Sequence, residues 1–86
     1  MRQLLFSVEK CGDLFKLNAN NTLLEMTRKG FQDSLDTVLQ TPLPLEPGDR
    51  VDLLFRSDIH EGTVAMSVPN RSIPEIIRLM QNALAA

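Results

Sequence analysis

Few residues in this chain are equipped for chemistry. Cys11 and His60 are its single cysteine and single histidine, and each falls in a segment that reads as a hairpin turn. A thiol beside an imidazole is the pairing that activates a cysteine nucleophile. A lone cysteine also rules out an intrachain disulfide and a cysteine-rich metal cluster.

Asp58, His60 and Glu61 form a second cluster. A transition metal asks for three or four converging ligands, with His or Cys prominent among them. One imidazole and two carboxylates on a short loop read as a solvated polar loop, and no metal is expected. Asp33 with Asp36, and Asp49 with Asp52, are two further carboxylate pairs. Carboxylates do acid–base work only where a cleft shifts their pKa values. Asp33 and Asp36 lie off the apolar stripe of their helix and read as its wet side.

Arg2, Lys16 and Arg56 are expected on one face of a sheet. Sheet proteins that bind single-stranded nucleic acid stack bases on exposed aromatics. The aromatics here are Phe6, Phe15, Phe31 and Phe55, without tyrosine or tryptophan, and all four fall on predicted core faces. Nine basic and eleven acidic residues give a net charge of -2, where phosphate binding favours a basic excess. The four glycines are scattered, so there is no phosphate loop. A nucleic-acid partner is not expected, and neither is a cofactor.

The elements that position these residues follow from periodicity. The chain has 86 residues, enough for one domain spanning residues 1–86. Residues 3–9 and 14–19 alternate as two strands around a turn at Gly12. Leu4, Phe6, Val8, Phe15, Leu17 and Ala19 are expected inward. Asn20-Asn21 then break the alternation, and Thr22 with Glu25 fits a capping box. A helix is predicted over about 22–40, with Gly30 inside it or splitting it. Thr41 to Asp49 holds Pro42, Pro44 and Pro47 and reads as an extended linker. Residues 50–56 and 62–68 are two further strands, with Val51, Leu53, Phe55, Val64, Met66 and Val68 inward. Ser72 and Glu75 fit another capping box, opening a second helix striped by Ile73, Ile76, Ile77, Met80 and Leu84.

The order is therefore ββαββα, an α+β two-layer sandwich. The units 1–40 and 50–86 align at Gly12/Gly62, Asn20/Asn70, Glu25/Glu75 and Arg28/Arg78, which raises an internal ββα duplication. Pairing the first and third strands as central neighbours gives a four-stranded antiparallel sheet, order 2-1-3-4, with both helices on one face. In that order the turns holding Cys11 and His60 lie roughly 20 Å apart, a strand length. They meet only across a dimer interface, so no enzyme is expected.

Two surface features remain. Leu5, Leu14, Leu54 and Ala65 are expected on the outer sheet face, with Leu5 and Leu54 side by side; a contiguous apolar patch there marks a contact surface. The segment Thr63 to Val68 carries no charge and is an edge in the 2-1-3-4 order. Uncharged edges are normally protected, so this one is expected to pair with a copy of itself or with another protein, unless the 41–49 segment covers it. The other edge, the second strand, carries Lys16 as a guard.

The expectation is a small non-catalytic protein–protein interaction module of the adaptor, chaperone, immunity or regulatory type. Its partner-binding residues are Leu5, Leu14, Leu54, Thr63, Ala65 and Ser67, and its partner is a protein or a second copy. The alternatives are a small-ligand or nucleic-acid binding domain, and an enzyme using Cys11 or His60 across a dimer. The N-terminal segment is too short and polar for a signal peptide, and no apolar stretch approaches a membrane span. With a single cysteine, a cytoplasmic setting is expected and a membrane is not.

Overall fold

The computed structural model describes residues 5–42, 46 and 48–86. Arg2, Leu4, Pro44 and Pro47 lie outside the described residues. The elements are β1 (Phe6–Cys11), β2 (Leu14–Ala19), β3 (Thr22–Thr27), α1 (Arg28–Gln40), β4 (Arg50–Arg56), β5 (Thr63–Pro69), a 3-10 turn (Asn70–Ser72) and α2 (Ile73–Ala85).

The fold is α+β with two helices, but its strands form two antiparallel sheets. One is β1-β2-β3; the other is the β4-β5 hairpin. This replaces the expected single sheet of order 2-1-3-4. The cause lies at Asn20 and Asn21, which hold φ of 51° and 63°. Two successive positive φ values make the tight hairpin turn whose twist matches the flanking strands. The chain therefore turns back as a strand, and Ala19 pairs with Thr22. Leu24 and Met26 alternate inward along β3, and the helix starts six residues later than expected.

The ββα duplication does not describe this arrangement. Glu25 lies on a strand, whereas Glu75 lies in the first turn of α2. Lys16 also changes role. It sits on the central strand, opposite Glu9 on β1 and Glu25 on β3, and guards no edge.

The inward alternation holds. Phe15, Leu17, Ala19, Leu24 and Met26 from the first sheet meet Val51, Leu53, Phe55, Val64, Met66 and Val68 from the hairpin. Phe31, Leu35 and Val38 of α1 and Ile73, Ile76 and Met80 of α2 close the core. All four phenylalanines are buried. Phe15 stacks on Phe31 at 4.6 Å, and Phe6 meets Phe55 at 5.6 Å. Arg28 lies over the Phe15 ring at 5.3 Å and donates to the Leu84 carbonyl, which ties α1 to the end of α2.

Side chains, not a ladder, join the two sheets. The buried Ser57 hydroxyl donates to the Glu25 carbonyl on β3 and accepts from the amides of Ile59 and His60. Asp58 accepts from the Thr27 amide at 2.9 Å and from the Thr27 hydroxyl. Thr27 in turn caps α1 by accepting from the Gly30 amide. These hydrogen bonds hold Asp58 as a carboxylate, with its pKa below the ordinary value; the Thr27 side chain is the largest cause.

Candidate functional site

The Cys11 and His60 turns do not lie at opposite ends of one sheet, as the order 2-1-3-4 required, because they belong to different sheets. Cys11 shares a cross-strand row with Leu14 and Thr27, and Thr27 binds Asp58 in the loop that holds His60. Among the described residues no hydrogen bond joins Cys11 to His60, and no cluster of His, Cys, Asp and Glu could hold a metal. Asp33 is exposed and pairs with Lys29 at 3.7 Å; Asp36 is exposed on the same helix. His60 and Glu61 line a cleft of about 310 Å³ between β3 and the hairpin loop, with Leu23 on one side and Thr63 on the other.

The surface residues predicted from sequence separate into two groups. Leu54 lies directly opposite Ala65 in the hairpin register, and both are exposed. Thr63 and Ser67 flank Ala65 on the same face. Leu5 and Leu54 are not strand neighbours, because β1 pairs with β2. Asn20 nevertheless brings Leu5 toward the hairpin: its amide donates to the Leu5 carbonyl, and its side chain reaches the Ala65 carbonyl at 3.5 Å. Leu14 belongs elsewhere. It is half-buried in the row of Cys11 and Thr27, at the far end of β2 from Asn20.

Leu23 was not anticipated. It is 55% exposed on the outer face of β3, in the row of Asn18. A helix reading of residues 22–27 hides it. Read as a strand, the same segment alternates Leu23 and Glu25 against Leu24 and Met26, which assigns Leu23 outward.

The edges of the hairpin follow from its hydrogen-bond phase. The Asn70 amide bonds to the Asp49 carbonyl at one end, and the Ser57 amide to the Gly62 carbonyl at the other. Bonded pairs alternate along an antiparallel ladder. Val51, Leu53 and Phe55 therefore use their backbone groups on β5, and Asp52, Leu54 and Arg56 point theirs away from it. On β5 the outward groups belong to Thr63, Ala65, Ser67 and Pro69.

The β5 edge is already engaged. Arg50 crosses from β4 and donates to the hydroxyl and the carbonyl of Ser67. Asn20 lies against the Ala65 carbonyl, and Pro69 has no N–H to offer. On β4, the outward backbone groups of Asp52, Leu54 and Arg56 have no partner among the described residues. Among the described residues the bare edge of the hairpin is therefore on β4, the neighbour of the strand picked out by composition.

Compared with protein-family models, curated proteins and solved structures, the chain matches none. Among the described residues, no helix is long and apolar enough to cross a membrane.

Proposed function

We propose that this chain is a small non-catalytic protein-interaction module of the adaptor, chaperone, immunity or regulatory type, working in a reducing compartment such as the cytoplasm. Its contact surface is the exposed face of the β4-β5 hairpin, centred on Leu54 and Ala65, with Thr63 and Ser67 beside them and Leu5 at the margin. One observation carries this reading: Leu54 is 54% exposed directly across from the exposed Ala65. An aliphatic pair at the centre of a solvent-facing hairpin is unneeded for the core and is suited to desolvation by a partner.

The test is capture from extract with tagged chain as bait. Wild type, Ala65→Lys and Asp33→Lys are compared, the last reversing a charge on exposed α1 surface. The proteins held by wild type are expected to be lost from Ala65→Lys and kept by Asp33→Lys. Equal retention by all three would sink the assignment of the surface.

A further inference from the structure

We infer that β4 pairs with β4 of a second copy of this chain, antiparallel and in one register, with Leu54 facing Leu54 on the two-fold axis. This deepens the proposed function by naming the first occupant of the hairpin surface, and it rests on that reading.

The argument starts from the open edge. Asp52, Leu54 and Arg56 all direct their backbone N–H and C=O away from β5. A strand of seven residues with a bare edge is a template for another strand. β4 also carries no proline to block it.

Charge then selects the register. With Leu54 opposite Leu54, Asp52 of each copy faces Arg56 of the other, twice by symmetry. Each of the three residue pairs exchanges two backbone hydrogen bonds, about six in all. On the opposite face Leu53 comes beside Phe55 of the other copy, so the two cores meet without a polar interruption. Asp52 and Arg56 are both exposed, and neither has an ion-pair partner among the described residues.

The neighbouring registers are worse. Shifting by one step of the ladder puts Arg50 opposite Arg56 and Asp52 opposite Leu54. A further step puts Asp52 opposite itself, and like charges directly opposed destabilise. A shorter overlap facing Asp52 with Arg50 leaves Leu54 beyond the paired strands, and Arg50 is already held by Ser67. Arg50 thus serves two ends. It occupies the β5 edge and leaves β4 as the hairpin edge open to pairing.

On the β3 edge the Glu25 carbonyl and the Thr27 amide are taken by Ser57 and Asp58, which leaves β1 as the other open edge among the described residues. Its phase follows from the Asn20–Leu5 bond and turns the backbone groups of Phe6, Val8 and Lys10 outward. Any antiparallel self-pairing that uses Lys10 sets it against Phe6, Val8 or another Lys10. The self-complementarity of β4 is missing there.

The experiment is solution mass by light scattering, with circular dichroism to confirm folding. The variants are Asp52→Arg, Arg56→Asp, and the chain carrying both changes. Wild type is expected at twice the 9.7 kDa chain mass. Asp52→Arg alone sets Arg against Arg, and Arg56→Asp alone sets Asp against Asp, so each falls to the single-chain mass while staying folded. The doubly changed chain returns to twice the mass. An equimolar mixture of the two single variants does the same as a one-to-one heterodimer, which also shows that each is folded.

A wild type that stays at single-chain mass at hundreds of micromolar overturns the inference. So does a dimer that survives both single reversals. A dimer broken by Ala65→Lys but not by the reversals associates through the hairpin face without strand pairing. A monomeric wild type whose captured partner is lost on Ala65→Lys leaves the proposed function standing and removes only self-pairing. If neither measurement responds, both readings fall.

Discussion

The carboxylate of Asp58 occupies the space in front of Gly30. A β-carbon on residue 30 would lie 2.5 Å from Asp58 Cγ, closer than any packing tolerates. Gly30 is thus neither a helix stop nor an idle weak point in α1. It is the third residue of the helix, and its bareness lets a loop residue from beyond β4 reach the helix N-terminus. There the carboxylate bonds Thr27, while the positive end of the helix dipole favours the charge.

Gly30→Ala in the wild-type chain is expected to give no net stabilisation, because displacing Asp58 offsets the gain in helix propensity. In an Asp58→Ala background the same change should stabilise by up to ~1 kcal/mol. Denaturant unfolding of the four chains would show a coupling of about 1 kcal/mol or more. Additive effects would mean that Asp58 and Gly30 do not share the space.

The pH dependence has a definite sign. Asp58 has a lowered pKa in the folded chain, so its contribution is complete above the unfolded carboxylate value of about 3.9. It is lost as pH falls through the folded value. The difference in melting temperature between wild type and Asp58→Asn should therefore be constant from pH 5 to 7 and shrink below about pH 4. A difference that grows on acidification would contradict this.

Ser57 is buried and uses its hydroxyl on three backbone groups. Ser57→Ala leaves the Glu25 carbonyl and two loop amides short of a partner, at a cost of about 1–3 kcal/mol. Urea unfolding measures it. A loss below about 0.5 kcal/mol, the level of an ordinary surface change, would show that the loop is held by other contacts.

Neither cap expected from sequence, Thr22 or Ser72, holds a helix: Thr22 opens β3, and Thr27 caps α1 in its place. Ser72 makes no side-chain cap bond to α2, so Ser72→Ala should change stability by less than about 0.5 kcal/mol. Thr27 caps α1 and also binds Asp58, so Thr27→Ala should cost about 1–2 kcal/mol. Thermal unfolding of both variants gives the comparison, and a reversed ranking would refute it.

Alternation was enough to read four of the five strands and their inward faces. Phe15 and Leu17, Val51 through Phe55, and Val64 through Val68 point as expected because burial on one face leaves a two-residue period. Thr22 to Thr27 was misread for a physical reason. Leu24, Phe31, Leu35 and Val38 are in helical phase, and Thr22 with Glu25 mimics a cap. The deciding fact is the left-handed backbone of Asn20 and Asn21, which carries no glycine to announce it. The join between the two sheets was out of reach because single side chains make it: Ser57 on Glu25, Asp58 on Thr27 and Asn20 at the Ala65 carbonyl. The outward direction of Leu54 and Ala65 was legible, but their pairing was not, since the expected neighbour of Leu54 was Leu5. Nor was the open edge, because the phase of the ladder decides which strand shows its amides.

The absence of a ladder between the two sheets bears on how the chain folds. β1, β2 and β3 form a meander closed by two tight turns, and β4-β5 is a hairpin. Each sheet forms by closing short loops, at small entropic cost. The long closures are made by the shared core and by a few polar contacts: Thr27 with Asp58 across 31 residues, Arg28 with Leu84 across 56, and Lys10 with the Ala86 carbonyl across 76. Docking of the two sheets around α1 and α2 is therefore expected to limit the rate. Changes in the docking contacts should slow folding more than changes within either meander.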